Sequence, residues 1–344
     1  MIFFSYLCDD EKHVSMYMRQ GINIAAVAML CACMCMPMAA QPEVVKQRLS
    51  RLPNVIETPY NEVVQKSIDA YLAEQQKSRV AEMLGRMNLW VETFEEVLEA
   101  EELPLELRFL PVVESGLDAT ATGASGTAGL WQMSVAAAKE QGLEVTSVVD
   151  ERRDPLKSTQ AAAKRLKALH SELGDWTLAI TAYKAGLPTV TKAMQRAGGV
   201  KDFWRLYPYL PEGARSYVPS WIAAEYMMTY YCEYGIASAA PVMPQRTDTV
   251  QARHKMALGQ VSAVCGIPMD TLEMLNPQYR AGIVPEGYSL RLPMDKLSVY
   301  VDAEERVHLH EPEKWLTMRE ETVVSKTPAT TTRNTYRRRR TRRR

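Results

Sequence analysis

Cysteine and histidine are scarce in this 344-residue chain, and its few cysteines crowd at one end. Cys8, Cys31, Cys33 and Cys35 fall in the first 35 residues, so only Cys232 and Cys265 remain for the rest. Two cysteines build no disulfide framework. Five histidines, with no His or Cys pair at ligand spacing, give no reason to expect a structural or catalytic metal, and no motif asks for a cofactor. Between residues 43 and 240 no stretch alternates polar and apolar residues long enough to be a strand, so the main domain is expected to be all-α. Long hydrophobic runs are missing as well, apart from one of about 15 residues near the front, too short to read as a membrane span.

Net charge is absent in sum but not in distribution. Lysines and arginines number 41, and so do aspartates and glutamates. Eight arginines (Arg333, Arg337 to Arg340, Arg342 to Arg344) occupy the last twelve positions, leaving 33 basic against 41 acidic residues, a net of −8, in the first 332. From residue 296 onward a linker and a disordered Arg-rich tail are expected, because Thr- and Arg-rich sequence cannot bury a core. Outer-membrane phosphates or another polyanion suit such a tail. Nucleic acid is not an expected partner, since arginines without a folded scaffold give no base readout.

The front run lies in "RQGINIAAVAMLCACMCMPMAAQPEV", a basic start, an apolar core and small residues, which is the layout of a signal peptide over residues 1–40 with translation starting at Met18. Cleavage after Ala40 gives a soluble exported protein. The alternative is "LCAC", Leu30 to Cys33, which resembles a lipobox and would give a lipoprotein anchored at Cys33. Either way export is expected, to the periplasm or to its face of the outer membrane.

Residues 41–102 carry helical periodicity, with Ile68, Leu72, Val80, Leu84, Leu89, Phe94 and Leu98 on helical faces and Asn61 or Ser67 as a cap. In residues 103–240, "LPLELRFLPVVESGL" reads as a helix entered at Pro104 and ended near Gly116. Further helices are expected at about 134–141, 155–173, 175–185, 189–197 and 216–234. Past Pro241 the composition changes to two short helix patterns flanked by extended apolar segments, a separate α+β module over 245–295.

Glu114 is the first candidate for chemistry. It ends an apolar helix after Leu110, Pro111, Val112 and Val113, where burial would disfavour its charge and suit a proton donor. An ordinary exposed glutamate in a last helical turn fits the same pattern. The loop beyond, "TGASGTAGLWQM", has glycines at 123, 126 and 129, which permit close backbone approach to a ligand, and ends in Trp131 and Gln132, a stacking ring and a bidentate amide suited to a sugar. A Gly-rich turn with Trp131 in the core is the competing reading.

Four segments, "ESGL" at Glu114, "GTAGLWQM" at Gly126, "VVDERRDPLKSTQAAAKRLKAL" at Val148 and "GDWTLAITAYKAG" at Gly174, resemble in order and spacing the soluble lytic transglycosylase (SLT) domains of glycoside hydrolase family 23. With "YPYLPEGARSYVPSWIAAEYMMTYYCEYGI" at Tyr207, the resemblance spans about 150 residues and looks most like the membrane-bound transglycosylase D branch. It implies a mainly α, lysozyme-like fold and non-hydrolytic cleavage of the N-acetylmuramic acid to N-acetylglucosamine β-1,4 bond, closing a 1,6-anhydro ring. It implies Glu114 as the lone acid and base, with Ser115, Gly129, Trp131, Gln132, Met133, Tyr183, Lys184 and Tyr217 lining the glycan groove or positioning the acid, and peptidoglycan strands as partner. Asp118 reads as a turn residue.

Three segments depart from the family. Lys184 stands where "AYNAG" is usual, Gly213 and Ala214 replace Glu and Thr, and Ala137 and Ala138 replace Thr and Gly. Lys184 reads in three ways: a solvated cation at a helix end, a contact for muramoyl or peptide carboxylates, or a partner of Glu114 whose pairing costs the catalytic arrangement. A wall-binding scaffold that keeps the fold without the activity is the alternative function. In the module, "ALGQVSAVCGIPMDTLEMLNP" and "GIVPEGYSLRLP", with Gly287, resemble a LysM domain whose usual Gly-Asp-Thr opening is absent. That resemblance implies binding of N-acetylglucosamine-containing glycan.

Overall fold

The structure, a computed structural model, describes residues 41–239 and 246–316. The expectations for the leader and for the tail beyond residue 316 lie outside the described residues.

The first helices form because apolar side chains recur at helical spacing behind good caps. Helix α1 (Pro42–Leu49) begins with proline, whose missing N–H costs nothing at a helix start. Helix α2 (Glu62–Leu72) is capped by Asn61, whose side-chain oxygen accepts from the Val63 and Val64 amides at 3.0 Å each. Helix α3 (Lys77–Ala100) buries Val80, Met83, Leu84, Met87, Trp90, Phe94, Val97 and Leu98 along one stripe. A tight turn at Leu105–Phe109 then leads into α4 (Leu110–Ser115), which ends at Gly116 with φ +62°, a left-handed cap that glycine adopts without strain.

Helix α5 (Val135–Glu140) starts on the Ser134 side chain, α6 (Pro155–Leu173) on Asp154 and α7 (Trp176–Ala185) on Asp175. They are followed by α8 (Leu187–Arg196), α9 (Phe203–Leu206) and α10 (Glu212–Arg215). Helix α11 (Tyr217–Tyr230) is buried nearly all round, from Tyr217, Val218 and Trp221 to Met227 and Met228, and forms the axis against which α2, α4 and α7 pack. The helix positions expected from periodicity agree with these to within a few residues. One continuous core joins them, and among the described residues before 240 the only β pairing is isolated bridges.

The module pairs β1 (Thr247–Gln251) antiparallel with β4 (Ser289–Pro293), Thr247 opposite Pro293, and β2 (Met256–Ala257) with β3 (Ile283–Val284). Helices α12 (Leu258–Cys265) and α13 (Met269–Leu275) lie between β2 and β3 in sequence. The linker expected from residue 296 is corrected by the structure. Helix α14 (Leu297–Leu309) buries Tyr300, Ala303 and Val307 in the module core, packing on α12, and α15 (Pro312–Trp315) follows. Those three residues recur at helical spacing, so the sequence past residue 296 carries a further helix of the module.

Nor is the module a separate bead. Val148 and Val149 of the helical body belong to its core, Val149 bridges Tyr279, the Asp150 amide donates to the Gln278 carbonyl at 2.8 Å, and the Arg280 amide donates to the Val148 carbonyl at 3.0 Å.

Candidate active site

Glu114 sits in the last turn of α4, with its side chain only 3% exposed. Its two carboxylate oxygens have different partners. The Tyr217 hydroxyl, from the first residue of α11, donates to Oε1 at 2.7 Å, and the Lys184 ammonium, from the last turn of α7, donates to Oε2 at 2.8 Å. The Lys184 Nζ also lies 5.3 Å from the centre of the Tyr217 ring. Of the three readings of Lys184, the structure shows the pairing with Glu114, while the lysine side chain remains 41% exposed.

Two tyrosines stay neutral donors here. Burial, then the Glu114 charge and its hydrogen bond, push the Tyr217 hydroxyl well above its usual pKa. Burial first and the Glu114 charge second raise Tyr183, with Arg165 opposing. The Tyr183 hydroxyl donates to the Trp131 carbonyl at 2.9 Å and so ties α7 to the loop. Ser115 does the same from α4, its hydroxyl reaching the carbonyls of Leu130 at 3.0 Å and Pro111 at 3.1 Å. Glu114, Tyr183, Lys184 and Tyr217 thus come together from three helices. Asp118 accepts from the Thr120 amide and hydroxyl, a turn residue as expected.

The loop residues take other roles than those expected of them. Trp131 is fully buried, its indole N–H donates to the Thr159 hydroxyl at 2.9 Å, and its ring meets Phe94 edge-on, so it offers no face to a sugar. Gln132, at φ +46°, spends its amide inside the loop: it donates to the carbonyls of Gly129 at 2.9 Å and Ala121 at 3.3 Å and accepts from the Thr127 hydroxyl at 2.7 Å. Met133 is core. Gly129 does allow a close backbone approach, but to protein: at φ +79°, a Cβ on it would stand 1.7 Å from the Arg152 carbonyl oxygen.

Sequence reasoning missed what holds the loop. Arg152 is bidentate on Asp150, both contacts at 2.8 Å and both side chains buried, and its Nη1 donates to the carbonyls of Gly126 at 2.8 Å and Met133 at 3.2 Å. In "DERRDP" these residues read only as charges ahead of a helix. Two more cations approach the turn after Glu114 from α3: Arg86 donates to the Gly116 carbonyl at 3.1 Å, and a Cβ on Gly116 would lie 3.9 Å from an Arg79 nitrogen. Among the described residues no group of three His, Cys, Asp or Glu side chains is placed to hold a metal.

The helical domain thus places a buried glutamate side chain at the end of a short helix, followed by a braced glycine loop. The family described as "Transglycosylase SLT domain" matches residues 93–204, and "Lytic transglycosylase MltD, LysM-like domain" matches residues 246–309. The chain therefore carries an SLT domain and an MltD-type LysM-like domain. The membrane-bound lytic murein transglycosylases D of Escherichia coli strains K12 and O6:H1 are each 28% identical over 222 residues, 63% of this chain. A putative tributyltin chloride resistance protein of Alteromonas sp. strain M-1 is 36% identical over 98 residues, 28% of this chain and 47% of that one. The matched region spans 48% of the E. coli proteins' length, about half. Among the described residues no helix is long and apolar enough to cross a membrane.

Proposed function

We propose that this protein is a peptidoglycan lytic transglycosylase, cleaving the bond between N-acetylmuramic acid and N-acetylglucosamine with formation of a 1,6-anhydro end, in cell-wall remodelling. The observation that carries it is the Glu114 carboxyl, nearly sealed from solvent and held by the Tyr217 hydroxyl at 2.7 Å.

In this reading Glu114 protonates the glycosidic oxygen as its bond to C1 breaks. The C6 hydroxyl of the same muramoyl residue then bonds to C1 and returns a proton to Glu114. The nucleophile is internal, so neither a second carboxylate nor an activated water is required, unlike the two-carboxylate glycosidases. Tyr217 keeps the carboxyl aimed throughout, since its proton stays on the hydroxyl. The LysM-like module adds a second hold on N-acetylglucosamine-containing strands and raises the effective concentration of polymer at the groove. A peptidoglycan substrate requires export, which the basic-then-apolar leader serves.

A second reading, a catalytically impaired wall-binding scaffold, draws on the Lys184 contact, because an ion-paired carboxylate is a poor proton donor. Incubating peptidoglycan with the protein and with Glu114→Gln, then analysing the muropeptides, separates the two. Anhydro ends from the parent, reduced at least about 100-fold in the variant, are expected. Their absence from both favours the scaffold, and reducing ends in their place would point to hydrolysis.

A further inference from the structure

The family resemblance has no role for a lysine beside Glu114, and the contact between them sets up a contradiction. A general acid must carry a proton, yet an ammonium at 2.8 Å pairs with the ionised form. Tyr217 occupies the other oxygen, so both oxygens of the carboxyl are engaged.

The two partners differ in how readily they leave. Tyr217 is 3% exposed and fixed at the start of a buried helix. Lys184 ends a helix on a flexible four-carbon stem, and its side chain is 41% exposed against 3% for the carboxylate it covers. The same turn is approached by Arg79, which forms no ion pair with the described residues, and by Arg86, which has only a 3.8 Å contact to Glu82. Lys184 is thus the cation on the buried carboxylate, and two arginines stand at the turn that follows it, on a chain whose first 332 residues are net acidic. Such local inversion of charge suits an anionic ligand.

We propose that Lys184 is the anion receptor of this groove: its ammonium covers Glu114 in the free protein and passes to a carboxylate of the glycan strand when the strand binds. The inference rests on the glycan-cleaving reading above. Transfer of the ammonium leaves Oε2 of Glu114 uncovered toward the glycosidic oxygen while Tyr217 still holds Oε1. The strand's own charge thereby arms the acid, and Lys184 is a positioning residue that makes cleavage depend on the substrate's carboxylates.

The carboxylate has two sources, the stem peptide and, where the stem is missing, the muramoyl lactyl group that otherwise holds it as an amide, so three strands are needed. These are intact strands, strands stripped of stem peptides so that the lactyl carboxylate is freed, and stripped strands whose carboxylates have been converted to neutral amides. Equilibrium binding and anhydro-end release are measured for the full chain, Lys184→Met and Lys184→Arg, with thermal melts to show that each is folded. The parent is expected to bind charged strands about 3- to 10-fold more tightly than neutral ones, Lys184→Arg to keep that preference and Lys184→Met to lose it. Lys184→Met should also release anhydro ends from neutral strands faster than the parent.

A preference over neutral strands shown by stripped strands assigns the lactyl group, and one shown by intact strands alone assigns the stem. Equal binding of charged and neutral strands by the parent, or an unchanged preference in Lys184→Met, overturns the proposal. Lys184-dependent preference in binding with no anhydro ends from any strand would instead leave the receptor standing and sink the transglycosylase chemistry.

Discussion

Glu225 is a second buried carboxyl, on the inner face of α11, and the proposed chemistry makes no use of it. It is 2% exposed and its Oε2 has no hydrogen-bond partner among the described residues. Burial drives its pKa up to about 8, with the nearby Glu106 charge adding to the rise and Asn54 and Arg108 opposing it. The folded chain thus holds this proton where the unfolded chain, with an ordinary value near 4.5, has lost it. Stability from this group is complete below about 4.5 and declines as pH rises toward about 8, because over that window the folded state binds more protons. The decline is on the order of a few kcal/mol. Glu225→Gln cannot ionise, so it should melt close to the parent at pH 5 and higher than the parent at pH 8.5. A melting difference that does not grow between those pH values would show that Glu225 does not carry this dependence.

Single residues were legible in the sequence where a helix fixed their direction. Glu114, Tyr183, Lys184 and Tyr217 all lie in or at the ends of helices, so position in the pattern gave direction, and the structure hydrogen-bonds Lys184 and Tyr217 to Glu114 while Tyr183 bonds the Trp131 carbonyl. Trp131 and Gln132 lie in a loop, where no periodicity tells inside from outside. Their directions are set by Thr159, Thr127 and backbone carbonyls distant in sequence or folded back on themselves.

At the scale of elements, that loop behaves as a rigid part. Its backbone is held on one side by Arg152 at Gly126 and Met133, and on the other by Ser115 and Tyr183 at Leu130 and Trp131. Gly129 is the tightest point, since any Cβ collides with the Arg152 backbone at a φ that side chains avoid. Gly129→Ala should therefore destabilise the protein by about 2–4 kcal/mol in urea unfolding and lower anhydro-end release in the part that stays folded. A loss under about 0.5 kcal/mol would show that the loop yields more than its bonding implies. Helix boundaries were readable because caps announce them: Asn61, Asp154 and Asp175 each accept from the first-turn amides of the helix they precede. Helix α14 escaped because "LSVYVDAEERVHL" mixes charge with only three buried positions, and what it packs against lies forty residues earlier, in α12.

For the molecule as a whole, the question is whether the module only tethers the enzyme to its polymer or also supports the site. Val149 is fully buried in the module core, while the next residue, Asp150, anchors Arg152 and through it the loop behind Glu114. The Tyr288 hydroxyl bonds the Glu144 carboxylate across the same junction. Docking and site thus share one short segment, residues 144–152, a link invisible in sequence because it is made of backbone pairing between distant stretches. Val149→Asp places an unpaired charge in that junction, a substitution that costs several kcal/mol unless the surfaces part. It should split thermal unfolding into two calorimetric transitions where the parent shows one. A mere tether would lose only the advantage on long polymer, which a fragment of a few sugars never enjoys. Support of the site predicts instead that Val149→Asp slows anhydro-end release from short fragments and from whole peptidoglycan alike, and full activity on short fragments in a variant with two transitions would reduce the module to a tether.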